Sequence, residues 1–185
     1  MKHGTLPEST RELFETGVFR EDKLILEDTF NWYAQDDNGN VWYMGEDVTD
    51  FDYDAAGNLI GTRHPGAWEA GVNGAKPGYR TPANPQVGDH YYQEFYAGIA
   101  EDDAKVTGLN QSFLVPYGSF SNNVLRTRDT TALEPDTYAH KYYAPGVGPI
   151  AERAFTANDN TLRATVDRLP QSILPEFKEK LNSTT

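Results

Sequence analysis

Asn31–Glu46, NWYAQDDNGNVWYMGE, decides how this chain folds. Two aromatic runs flank Asn38-Gly39. Asn-Gly in that setting is the strongest short hairpin signal, because both residues tolerate the positive φ of a type I′ turn. With a two-residue loop, Asp37 faces Asn40 and Gln35 faces Trp42. Tyr33, Gln35, Trp42 and Met44 then share one face, and Trp32, Ala34, Val41 and Tyr43 share the other. A three-residue loop with a bulge would shift that pairing. Both faces carry large apolar area, whereas a sheet with one wet side alternates more cleanly. The pattern predicts a mainly β chain, built as a strongly curved antiparallel sheet or open β-barrel with a filled concave side.

Working outward, Lys23–Phe30 reads as the strand that leads into this hairpin. Val48–Asp54 reads as the next strand, with Asp50, Asp52 and Asp54 alternating with Phe51 and Tyr53. Gly57-Asn58 turns the chain, and Leu59–Arg63 returns, as in a meander. His64–Thr81 is rich in Gly and Pro, which break regular structure; Trp68 is expected to pin this long loop to the sheet. Asp89–Ala97 alternates again, placing His90, Tyr92, Glu94 and Tyr96 on one face. Strands are also expected at Lys105–Val106, Phe113–Val115, Val124–Asp129, Tyr138–Tyr143 and Ile150–Phe155. There is no long internal repeat, and the two Trp-Tyr dipeptides belong to one hairpin.

The chain ends read as helical. Ser9-Thr10-Arg11-Glu12 forms a capping box ahead of Leu13 and Phe14, with Gly17 as a stop. Thr161–Leu169 carries a Leu162/Val166/Leu169 stripe, and Pro175–Leu181 starts with a proline suited to a first turn. The expected division is an N-terminal helix at 1–17, one β domain at 18–155 and a helical tail at 156–185.

Charge and composition narrow the partners. The formal net charge is −12, from 16 Lys+Arg against 28 Asp+Glu, and the excess lies before Glu152. Such a field repels phosphate backbones and argues against nucleic acid as a partner. No cysteine is present, so disulfides, thiolate metal sites and a cysteine nucleophile are excluded. No apolar run approaches bilayer length, and MKHGTLPEST is too polar to be an export leader. A mature extracellular or periplasmic chain is expected, with a cytoplasmic one as the alternative.

The series WYAQDDNGNVWYMGED, WEAGVNGAKPG, VGDHYYQEFYAG, VPYGSF and KYYAPGVG resembles an uncharacterised family of bacterial secreted or lipoprotein-like β-domains over roughly residues 28–150. Its closing tyrosine strand and APGVG are also loosely similar to the curved sheets of lipoprotein carriers. Gly148-Pro149-Ile150 departs from that pattern, since a proline removes a ladder donor. The resemblance implies an antiparallel sheet and an exported origin. It carries over no catalytic residues, and a shared fold confers no function.

Several constellations suggest chemistry. Asp36-Asp37-Asn38-Gly39-Asn40 resembles part of a calcium loop but lacks the distant bidentate Glu, and turn chemistry accounts for it. The acidic group Glu46, Asp47, Asp50, Asp52 and Asp54 reads as a charged edge strand protected from pairing. Calcium bridging it to Glu101-Asp102-Asp103 is the metal alternative; otherwise no cofactor is expected. Glu69, beside Trp68, is the first catalytic candidate, because a carboxyl against an indole is a plausible proton donor. His90 and Glu94 form a second acid/base pair if they share a strand face. Neither a G-x-S-x-G elbow nor a phosphate loop appears.

The function expected is binding of a small apolar or amphipathic molecule in the concave face. Trp42, Trp68, Tyr92 and Tyr142 would form its walls, with Glu69, Glu94 and Lys141 as polar anchors. The alternatives are an enzyme using Glu69 or the His90/Glu94 pair, and a structural or calcium-binding domain without a cavity.

Overall fold

The computed structural model describes residues 12–19 and 24–168. Among these residues thirteen strands follow one another: β1 Glu12–Phe19, β2 Ile25–Gln35, β3 Val41–Tyr53, β4 Leu59–Arg63, β5 Trp68–Glu69, β6 Lys76–Thr81, β7 His90–Tyr92, β8 Glu94–Phe95, β9 Asp102–Val115, β10 Gly118–Thr131, β11 Thr137–Ala144, β12 Gly148–Thr156 and β13 Leu162–Asp167. The chain is mainly β and its sheets are antiparallel, as the alternation predicts. Among the described residues there is no helix and no closed barrel.

Of the three helices expected near the chain ends, the two that reach into the described residues are corrected. Glu12–Phe19 is a strand that pairs with β2 over its whole length. A two-turn helix has a costly nucleus and little to repay it, whereas pairing satisfies the backbone residue by residue. Leu162–Asp167 is a strand on the edge of its sheet. Leu162 and Val166 suit a helical i,i+4 stripe, but with Ala164 between them they fit period two equally well. The Pro175–Leu181 helix, and the part of the first one before Glu12, lie outside the described residues.

The chain divides into two compact units. The first holds β1–β6 and β8, in a sheet ordered β1-β2-β3-β6-β8 with β4 and β5 also paired to β3. The long strand β3 is its spine. One edge of β3 pairs with β2, while β6, β5 and β4 occupy successive stretches of the other. The expected break between the first and second hairpins is absent, because β3 runs unbroken from Val41 to Tyr53. At its centre Trp32 pairs with Gly45 and Tyr33 with Tyr43, which leaves Met44 as a bulge. A bulge bends its strand and sharpens the twist. Gly45 is required there: φ is +148°, and a Cβ would come within 2.4 Å of Trp68 O.

The two hairpin tips of this sheet are built alike. Asp36 N donates to Asn40 O at 3.0 Å and Gly39 N to Asp36 O at 2.9 Å; Asp54, Asn58 and Gly57 repeat these bonds at 3.0 and 3.1 Å. In each tip the aspartate Oδ1 accepts two backbone N–H groups and Oδ2 accepts the asparagine side chain. Each loop is thus a three-residue turn with a glycine at positive φ, +88° and +86°, rather than the two-residue type I′ turn expected at Asn38-Gly39. Gln35 therefore faces Val41, and Ala34 faces Trp42. Tyr33 and Tyr43, assigned to opposite faces in the sequence reading, face each other with ring centroids 5.1 Å apart.

The second unit holds β11, β12, β13 and most of β9 and β10. These five strands follow the meander order within a sheet ordered β13-β12-β11-β10-β9-β7. Its core gathers Val115, Val124, Ala144, Ile150 and Ala151. Full burial of a side chain such as Ile150 stabilises by about 2 kcal/mol.

Candidate functional site

The first unit carries a buried polar and aromatic cluster. Tyr33, Tyr43, Trp68, Ala75 and Ala100 form its apolar part. In the extended β5 strand, neighbours point to opposite faces, so Trp68 is buried while Glu69 is exposed. The carboxyl that meets the indole is instead Glu94: Trp68 Nε1 donates to Glu94 Oε2 at 2.6 Å, and Glu94 is 6% exposed. Gly78 makes this possible. The backbone of Tyr92 and Gln93 crosses it so closely that a Cβ would sit 2.2 Å from Tyr92 O.

Around this pair the polar groups interlock. The Tyr43 hydroxyl lies 2.5 Å from Asn31 Oδ1 and 2.6 Å from Glu46 Oε2. Burial first, and then the neighbouring Tyr33, Glu46 and Glu94, hold the Tyr43 phenol well above the usual tyrosine range, with Arg80 opposing. Tyr43 is therefore a neutral hydroxyl. The Arg80 guanidinium lies 5.7 Å from the Tyr33 ring and 5.5 Å from the Tyr43 ring, and donates to Gln93 Oε1 at 3.3 Å. Buried polar groups are costly unless hydrogen-bonded, and this cluster supplies those partners.

A second feature of the same unit is a row of half-buried rings. Trp42 and Tyr79 lie opposite each other on β3 and β6, with centroids 4.2 Å apart. Tyr91 meets Tyr79 edge-on at 6.2 Å. Asp36 Oδ2 fixes the first ring by accepting Trp42 Nε1 at 3.0 Å. Hydrogen bonds from Asn40 and then Trp42 pull the Asp36 carboxyl below its ordinary range, so it stays ionised as an acceptor.

The remaining candidates are dispersed. The strand expected over Asp89–Ala97 is broken at Gln93 into β7 and β8. His90 is thus exposed on β7 while Glu94 is buried on β8, and the two share no strand face. Tyr92 is exposed, edge-on to Phe95 at 5.7 Å. Lys141 and Tyr142 belong to the second unit. There Lys141 Nζ lies 3.3 Å from the buried Asp129 carboxylate, and Tyr142 packs 4.1 Å from Phe113.

Protein groups partner much of the acidic strand. Arg63 donates to both Asp52 oxygens at 2.9 and 3.0 Å and lies 3.3 Å from Asp50. Asp54 closes its turn, and Asp47 lies 3.7 Å from His64. Among the described residues, no three His, Asp or Glu side chains converge as a metal cage. No described helix is long and apolar enough to cross a membrane.

Sequence reasoning missed Arg80, Tyr79 and Asp36 as site residues. The signal for Asp36 was present in the matching Asp-x-x-Gly-Asn turns at 36–40 and 54–58. Comparison with family models, with curated proteins and with solved structures returned no match.

Proposed function

We propose that the first unit is a binding module for a small apolar or amphipathic molecule, which lies along the Trp42–Tyr79–Tyr91 row. The observation that carries this reading is that three half-buried rings follow one another at 4.2 and 6.2 Å. Aromatic faces of this kind give large contact area at small entropic cost. The bulges at Met44 and Arg80 bend the sheet toward the curved form that would cup such a molecule. Trp68, Glu94 and Arg80 hold the strands beneath the row rather than touching the ligand. An exported origin, as the family resemblance implies, fits a carrier or receptor for a molecule met outside the cell.

The test is a titration with N-phenylnaphthylamine, a neutral fluorescent apolar probe. Saturable binding is expected, weakened about tenfold or more by Trp42→Ala, since a lost ring contact removes over 1 kcal/mol once area is included. Equal binding by both chains would contradict the reading.

The enzyme alternative has one observation in its favour, the burial of Glu94 against Trp68. A carboxyl so placed is a candidate proton donor. Under the binding reading, Glu94→Gln retains probe uptake.

A further inference from the structure

The second unit carries cations where this chain is otherwise acidic. Arg128 pairs directly with His140 across β10 and β11, and His140 pairs with Arg153 across β11 and β12. One step along the same face, Arg126 pairs with Tyr142. Directly opposed side chains share a sheet face, so the guanidiniums of Arg126, Arg128 and Arg153 stand on one face, where like charges repel. With 28 Asp+Glu against 16 Lys+Arg in the chain, carboxylates for every one of these cations would be easy to supply. Among the described residues only Arg153 has one, Asp167 at 2.5 Å.

Arg126 is held by neutral groups: its Nε donates to Thr107 Oγ1 at 3.0 Å and its Nη2 to Thr107 O at 3.4 Å. Arg128 is exposed, and its guanidinium lies 4.3 Å from the Tyr138 ring centroid. Tyr138 in turn stacks on Phe155 at 5.1 Å and 15°. Neither Arg126 nor Arg128 makes an ion pair among the described residues. His140 Nδ1 donates to Thr127 O at 3.0 Å, and its ring meets Tyr138 edge-on at 5.5 Å.

A guanidinium laid on a ring is pre-organised, with its N–H edge left for a planar acceptor. Arg126 and Arg128, two residues apart on one strand face, stand about 7 Å apart along it. Arg128, exposed and laid on Tyr138, can take a carboxylate bidentately, with the Arg126 charge on the same strand face. Tyr138, His140 and Phe155 offer an apolar surface alongside. We propose that this face of the second unit binds an aromatic carboxylate, its carboxylate held by Arg128 and its flat body resting against the Tyr138–His140 rings. The site uses no residue of the Trp42 row and stands or falls separately from it.

The experiment is a residue-resolved NMR titration of the full chain with naphthoate, with neutral naphthamide and with sulfate. Naphthoate is expected to shift Tyr138 and His140. Arg128→Gln should weaken it about tenfold or more, since hydrogen bonds to charged groups are the strong ones. Lys105→Gln, at an exposed cation on β9, should leave the affinity unchanged. Naphthamide and sulfate should each bind far more weakly than naphthoate. The proposal is overturned if Arg128→Gln binds naphthoate as the parent does, if naphthamide matches naphthoate, or if the shifts fall only on the Trp42 row. Sulfate matching naphthoate would reduce the face to a bare anion contact and overturn the aromatic part.

Discussion

Trp68 and Glu94 stand 26 residues apart in sequence and meet as a buried donor and acceptor at 2.6 Å. The bond ties β5 to β8, two strands too short to hold their places by ladder hydrogen bonds alone. Trp68→Phe keeps most of the apolar area but removes the indole donor from a buried carboxyl. A loss of about 2 kcal/mol is expected, measured by urea unfolding. Glu69→Gln, next door but exposed, is expected to change stability by less than about 0.5 kcal/mol.

Gly78 admits the Tyr92–Gln93 backbone over β6, and Gly61 on β4 has open space around its Cα. Gly78→Ala is therefore expected to cost at least about 2 kcal/mol through a backbone clash. Gly61→Ala should be neutral or slightly stabilising, because alanine loses less freedom on folding. Comparison of the two thermal midpoints checks this directly.

The Asp129–Lys141 pair lies in the second unit, where Asp129 also accepts the Thr127 hydroxyl. Lys141→Met is expected to cost about 3 kcal/mol, since it leaves a buried charge without its cation. Replacing both members by apolar residues should recover much of that loss, as measured in a double-mutant cycle.

Asp36 and Asp54 hold their turns as carboxylates, and both titrate below the ordinary range. The Asn40 side chain is the first cause for Asp36 and the Asn58 side chain for Asp54. A depressed folded-state value means stability that is fully present above the unfolded value and lost as pH falls through the folded one. Unfolding free energy is expected to fall on acidification through and below the ordinary aspartate range. A chain carrying both Asp36→Asn and Asp54→Asn should show a flatter profile over the same window.

Much of the first unit was legible because its turns are local chemistry. Asp, Gly and Asn at fixed offsets mark both hairpin tips, and Leu59–Arg63 returns where the second tip places it. What escaped the sequence was register. A three-residue turn in place of a two-residue one brings Tyr33 opposite Tyr43, and the bulge at Met44 shifts the pairing again just beyond them; no local pattern distinguishes that bulge from regular alternation. Glu94 was legible as a candidate and Trp68 as a pin. Their pairing was not, because it depends on a chain crossing at Gly78 that only the packed sheet determines. The edge strands β1 and β13 were misread because short amphipathic segments fit both periods, and the neighbouring strand decides between them.

We propose that the Trp42 row holds a small apolar or amphipathic molecule. Native mass spectrometry of freshly purified chain tests it most directly. An added mass is expected on the parent protein and is expected to be missing from Trp42→Ala. A bare chain mass in both, or the same added mass in both, would contradict it.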